Sequence, residues 1–267
     1  MHNRAERATL VALPATMSTA PRNQDVAAFE AMSEDTYLED QGRRFDRTVE
    51  VLRRENATVP WIEFGALGGG FATQCADALG LDRRQVYCCD FTPELLRRAS
   101  ERGFATCVWD LEGGPRPAEL RPGTFNTILF CEIIEHLVAP DRTLSTIVDL
   151  LAPGGLLLVT TPNLASLGNR IRLLRGKTPS LNPAPGAAVK APGSLAAFDH
   201  LRVCTADEWT ALLESLGLQV TRIEGATSAA RTRASSMRRR LSVSLNILLE
   251  QLPGRLWQTT IIAARKP

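Results

Sequence analysis

The chain reads as an α/β protein built on a mostly parallel sheet, and three observations lead there. From residue 60 onward, short apolar runs alternate with amphipathic segments of helix length, the pattern of βαβ units with right-handed crossovers. The first apolar run ends in a glycine cluster, Gly65-Ala66-Leu67-Gly68-Gly69-Gly70, and the second ends in Asp90. With 267 residues, 44% of them hydrophobic and 22% charged, the chain can bury one large core, which excludes wholesale disorder, collagen-like sequence and coiled coil.

Residues 1–40 are expected to form a flexible leader. Arg4 and Arg7 precede an apolar run at 10–15, but Pro14 interrupts it and it is too short for a signal-peptide core. Met17 offers an alternative start. Phe45, Val49 and Leu52 recur at helical spacing within 41–56, so an amphipathic helix is predicted ahead of the sheet. Strands are predicted at 61–64, 85–89, 105–108, 125–131 and 156–161, with helices at 71–79, 93–102 and 141–151 between them.

Residues 163–200 break this rhythm. Leu164 to Lys177 is apolar and basic, and six prolines or glycines follow between Pro179 and Gly193, a connection long enough to suggest a lid or substrate loop. A helix is then predicted from Thr205 as N-cap, with Glu208 as its capping-box partner and Gly217 as its stop. Strands at 218–223 and 257–263 flank an Arg-rich helical insertion at 225–255. The expected organisation is a single domain over 41–267 carrying both insertions.

Thirty-one Lys and Arg against 29 Asp and Glu give a net charge of +2, which provides no reason to expect nucleic-acid binding. The balance is uneven. Residues 163–190 carry five basic residues and no acid, and 225–267 carry eight and one, so these segments suit an anionic or carrier-linked acceptor, or peripheral contact with an anionic membrane. The longest purely apolar runs are strand-length, so no transmembrane segment is predicted. Six cysteines show no CxxC or zinc-ligand spacing; no metal is expected, and a reducing cytoplasm is the expected location. The oligomeric state is open, and a homodimer is compatible with it.

The chemistry concentrates at the strand ends. Glycines after Glu63 and Phe64 let a ligand approach the backbone and let the turn adopt positive φ. Asp90, twenty residues beyond Gly70, stands where a carboxylate accepts from both ribose hydroxyls. Trp109-Asp110-Leu111 follows the third strand: the carboxylate suits an adenine amino group and Leu111 an adenine face, although Asp110 also suits a plain turn.

These residues, with Cys131-Glu132-Ile133-Ile134-Glu135-His136-Leu137, Leu151-Ala152-Pro153-Gly154-Gly155 and Thr161-Pro162-Asn163, resemble class I S-adenosylmethionine-dependent methyltransferases. The branch is that of the ubiquinone-biosynthesis type and of bacterial sugar and natural-product enzymes, and the resemblance spans 41–264. It implies a Rossmann-like seven-stranded sheet in the order 3-2-1-4-5-7-6 with helical cap elements. It also implies S-adenosylmethionine as methyl donor and S-adenosylhomocysteine as product. The donor would be held by Glu63, Gly65, Ala66, Gly68, Gly69, Asp90, Phe91, Asp110, Leu111 and Cys131. One residue departs from the pattern: Leu67 stands where relatives usually carry glycine, so a turn shifted onto Gly68 and Gly69 is expected.

Methyl transfer from a sulfonium is an in-line displacement that needs alignment, exclusion of water and, for a protonated acceptor, a base. His136, at the carboxyl edge of the sheet, is the first candidate base; a structural role for Glu135-His136 in the local turn is the competing reading. His200, with Asp199 beside it, and Glu132 are the others. His2 lies in the leader. The expected activity is methylation of a hydroxyl on a small molecule, a sugar or secondary metabolite, for biosynthesis, with an amine acceptor as the alternative. The Pro-Pro-aromatic motif of nucleobase methyltransferases is absent after the fourth strand. A nicotinamide-dependent oxidoreductase would want GxGxxG, and Leu67 leaves room for a non-catalytic scaffold.

Overall fold

The computed structural model describes residues 34–180, 200–227 and 255–267, with side chains from residue 43 onward. The elements run α1 (Glu34–Arg54), β1 (Trp61–Phe64), α2 (Gly70–Leu79), β2 (Val86–Asp90), α3 (Pro93–Glu101), β3 (Ala105–Val108), β4 (Phe125–Cys131), α4 (Pro140–Leu150), β5 (Leu151–Pro162), α5 (Leu167–Leu174), α6 (Ala206–Ser215), β6 (Gln219–Ala226) and β7 (Thr259–Arg265). The seven strands form one sheet in the order β3-β2-β1-β4-β5-β7-β6. Pairs from β3 through β5 are parallel. Only β7 runs against its neighbours β5 and β6.

Strand alternation divides the core between the two faces. Ile62 and Phe64 point into the cluster with Phe130, Val159 and Trp209, while Trp61 joins Leu129, Leu158, Ile261 and Phe45 on the other side. Each fully buried Ile, Leu or Phe contributes about 1.5–3 kcal/mol, so these two layers carry most of the stability. The same alternation sends Glu63 to the face covered by α1 and α2.

Helix ends follow local chemistry. Gly69 precedes α2 and Gly80 ends it, both left-handed. Pro93 and Pro140 open α3 and α4, where a missing N–H costs nothing. Thr205 and Glu208 form the expected reciprocal capping box of α6. Several boundaries differ, among them the start of β5, at Leu151 in place of 156. The α1 helix begins at Glu34, inside the segment expected to be a flexible leader, and β6 continues to Ala226, into the predicted Arg-rich insertion. Most of that insertion, the lid beyond Ser180, His2 and Met17 lie outside the described residues.

An ion network that no periodicity could predict locks α1 to the edge strand. Glu55 accepts from Arg222 Nε at 2.7 Å and from the Thr221 hydroxyl at 3.0 Å. Glu224 accepts from Arg47 at 2.7 Å and from Arg54 at 2.8 Å. The helix is thereby pinned to β6.

Further along β6, a β-carbon built on Gly225 would fall 2.2 Å from a ring atom of buried Trp257. Gly225→Ala should therefore cost about 3 kcal/mol through overpacking, read as a lower urea midpoint at unchanged slope; an unchanged midpoint would show that the ring can move aside. Among the described residues, no helix is long and apolar enough to cross a membrane.

Candidate functional site

The carboxyl ends of β1 and β4 meet, beside α1 and the start of α2, at a pocket that opens to solvent. The glycine turn forms one wall. Gly65 has φ +62 and a β-carbon there would meet Ile133 at 3.0 Å. Leu67 itself adopts the left-handed conformation at φ +49, a strain of about 1–2 kcal/mol for a residue with a β-carbon. The expected shift onto Gly68 and Gly69 is met only at the second glycine: Gly69 takes φ +77 and Gly68 does not, while Leu67 keeps its own positive φ and its half-buried side chain lines the pocket.

Gly65 and Ala66 also line it, whereas Gly68 and Gly69 are buried beneath. A β-carbon built on Gly69 would fall 3.0 Å from the Ala99 β-carbon, so its lack of a side chain serves the approach of α2 to α3. The Gly68 carbonyl accepts from Arg102.

Asp90 is 4% exposed. One carboxylate oxygen accepts from the Leu67 N–H at 3.1 Å and the other from the Thr92 N–H at 3.0 Å. Burial pushes its pKa up, and these backbone donors pull it back. Each oxygen keeps lone-pair capacity beyond those bonds, which is what acceptance from vicinal hydroxyls requires. Beside it Phe91 is 44% exposed, and Val108, in register with Asp90, is exposed too. Apolar surface left in water at the rim of a cleft suits an aromatic ring. Asp110 accepts from the Glu112 N–H at 3.2 Å, the turn role foreseen for it, and half-buried Leu111 packs on the core.

The pocket floor is charged. Glu63, 4% exposed, lines it together with Cys131, Glu132 and Arg44. Arg44 comes from α1, is 4% exposed, and pairs with Glu132 at 2.5 Å. Glu132 holds φ +54 and also accepts from the Thr160 hydroxyl at 2.9 Å. Burial, with Glu63 nearby, pushes the Cys131 thiol up, so it stays a neutral wall.

Arg44 was missed from sequence. Its signal was an arginine beside Phe45, in register with Thr48 on the buried stripe of an amphipathic helix.

Past Glu132, a one-turn 3-10 helix (Ile134–His136) carries the next acid and base. Glu135 is fully buried, and burial, reinforced by the charge of Glu132, holds its carboxyl well above the ordinary range. His136 and His200 lie with ring centroids 4.7 Å apart, and their Nε2 atoms stand 4.0 and 3.9 Å from one Glu135 oxygen. His200 is brought there by a backbone bond from Arg202 N–H to the Glu135 carbonyl at 3.0 Å. Asp199, expected to orient His200, lies outside the described residues; Glu135 faces that ring instead.

Matches to two ubiquinone biosynthesis O-methyltransferases are partial. The protein of Xanthomonas euvesicatoria is 30% identical over 99 residues, 36% of this chain and 40% of that one. The protein of Caulobacter sp. K31 is 42% identical over 76 residues, 24% and 30%. Thus the match spans less than half the length of either relative.

The fold superposes on an S-adenosylmethionine-dependent methyltransferase of Thermotoga maritima, a possible histamine N-methyltransferase, with TM-score 0.61 and 15% identity over 90% of this chain and 98% of that one. The methyltransferase domain family matches residues 37–223, from α1 and its Arg44 through the glycine turn, Asp90 and both histidines into β6. The chain belongs to the methyltransferase domain family.

Proposed function

We propose that this chain is an S-adenosylmethionine-dependent methyltransferase acting on the hydroxyl of a small molecule, a sugar or secondary metabolite. The observation that carries the donor reading is the pairing of Asp90 with the glycine turn above a pocket floored by both signs of charge. The donor's amino-acid end is a zwitterion; Arg44 suits its carboxylate, and Glu63 and Glu132 suit its ammonium. Gly65 and Ala66 leave room for its backbone approach. Asp90 takes the ribose hydroxyls, Phe91 and Leu111 flank the adenine, and Asp110 offers an acceptor at its edge.

When bound, the donor supplies an electrophilic methyl on a good leaving group. The chain's own residues align the acceptor, exclude water and accept the proton released as the new O–C bond forms. The Glu135–His136–His200 cluster beside Glu132 supports a hydroxyl acceptor over an already nucleophilic amine, because a hydroxyl needs a base. The segments 163–200 and 225–255 act as the acceptor cap. On α5, exposed Leu173 and Leu174 stand among Arg170, Arg172, Arg175 and Lys177, which favours an acceptor with an anionic or carrier-linked end, or one met at an anionic membrane surface.

Calorimetry with S-adenosylhomocysteine tests the donor. Binding by the wild type that Asp90→Ala abolishes is expected; equal behaviour of the two proteins sinks the reading. For the base, His136→Ala is expected to lower kcat by about a hundredfold with donor affinity unchanged, once a panel of hydroxyl metabolites has supplied an acceptor. An undiminished kcat would return His136 to a structural role.

A further inference from the structure

We infer that Arg202 and Glu112 are positioning residues for His136, gripping from two separate segments the turn that carries it. Arg202 holds that turn twice. Its N–H donates to the Glu135 carbonyl at 3.0 Å and its Nη2 to the Val138 carbonyl at 2.7 Å, so the two bonds flank His136 along the chain. Glu112 meets the same stretch with both carboxylate oxygens, accepting from the Val138 N–H at 3.1 Å and from the Ala139 N–H at 2.9 Å.

Each grip answers a local need. Residues 137–139 connect a one-turn 3-10 helix to α4, and Ala139, the residue before α4, makes no side-chain cap. Glu112 supplies a carboxylate there from another segment, where the helix N-terminus favours negative charge. The guanidinium-to-carbonyl bond of Arg202 is charge-assisted and so of the stronger kind. Both side chains are exposed, so neither serves the core.

Their placement gives the pair its consequence. Asp110 accepts from the Glu112 N–H at 3.2 Å, which ties this acid to the proposed adenine edge. Arg202 stands two residues past His200, whose ring centroid lies 4.7 Å from that of His136. The turn is thereby held between the donor wall and the segment leading into α6, and His136 keeps one orientation toward both. A misplacement of about 1 Å costs up to about a hundredfold in rate, so two surface contacts are enough to matter. The catalytic consequence rests on His136 as the base of the proposed methyl transfer; the arrangement of the two rings does not.

Arg202→Ala removes one hydrogen bond and leaves the segment anchored, because the Cys204 carbonyl accepts from the Leu164 N–H at 3.1 Å. Nuclear magnetic resonance on the full-length protein should show a ring-to-ring Overhauser contact between His136 and His200. That contact should be lost in Arg202→Ala and restored in Arg202→Lys, whose ammonium makes the single bond to Val138. Glu112→Gln turns an amide NH2 toward one of two N–H groups, so the Val138 and Ala139 amides should exchange at least about tenfold faster. Arg84→Ala, at a residue 86% exposed, should change neither. With an acceptor from the hydroxyl panel, Arg202→Ala should lower kcat about tenfold at unchanged donor KM, and Arg202→Lys should recover it.

An unchanged ring contact in Arg202→Ala, a loss that Arg202→Lys does not restore, or the same loss in Arg84→Ala overturns the inference, as does unchanged amide exchange in Glu112→Gln. Calorimetry with S-adenosylhomocysteine on the same proteins reads the donor site alone. A wild type that fails to bind it sinks the methyltransferase reading, while the ring contact still decides whether Arg202 and Glu112 hold the turn.

Discussion

Asp90→Asn is expected to weaken S-adenosylhomocysteine binding by about a hundredfold, or roughly 2.7 kcal/mol, the scale of losing hydrogen bonds to a charged group, while leaving the protein folded and no less stable. The two halves have different causes. Binding suffers because an amide presents one acceptor atom where the carboxylate presents two. Stability does not suffer, because the native carboxylate is costly in its place.

Burial raises the Asp90 pKa above its ordinary 3.8, so the folded state holds its proton more tightly than the unfolded one. The favourable contribution of the neutral acid is complete below 3.8 and is lost as pH rises through the raised native value; at neutral pH the full penalty is present. Asparagine escapes it and still accepts from one of the two backbone N–H groups, at Leu67 or Thr92. Thermal midpoints measured from pH 4 to pH 8 should show the wild type falling relative to Asp90→Asn as pH rises. A constant difference would place the penalty elsewhere, and unchanged affinity would remove Asp90 from the donor site.

Arg44→Met separates stability from binding in another way. It strands Glu132, only 15% exposed, without its cation, and breaking one partner of a buried pair costs about 3 kcal/mol. Adding Glu132→Gln should recover most of that loss, since no unpaired charge remains. Donor affinity should behave otherwise, falling about thirtyfold in the single variant, about 2 kcal/mol, and staying low in the double. Urea denaturation and calorimetry on the three proteins decide this. If affinity recovers with stability, Arg44 only holds the pocket open and does not receive the donor's carboxylate.

Sequence pattern was strong where physics is local. Alternation of strand and helix periods, the glycine turn after Phe64, Asp90 at a strand end and the Thr205–Glu208 capping box each depend on neighbours within a few residues, and each stands where the pattern put it. Leu67 was visible as a departure, yet its outcome was not. Whether a leucine hands its positive φ to a following glycine or bears the strain depends on the Asp90 carboxylate that accepts from its N–H, a partner from the next strand.

Arg44 and the Glu135–His136–His200 group mark the same boundary more sharply. The helix carrying Arg44 could be read from Phe45, Val49 and Leu52, but nothing in that periodicity says that Glu55, Arg47 and Arg54 would clamp it to β6 and lower the arginine into the pocket. His136 and His200 could each be read as a base; that both turn toward one buried carboxylate is fixed by how the chain from the lid returns past β4. By itself, then, the sequence determined the α/β sheet, the strand ends that bear the chemistry and the acid at the second of them, because periodicity and turn chemistry act along the chain. Only the tertiary structure decided which charges share a pocket and which side chain bears strain, because those follow from contacts between segments whose separation no local pattern records.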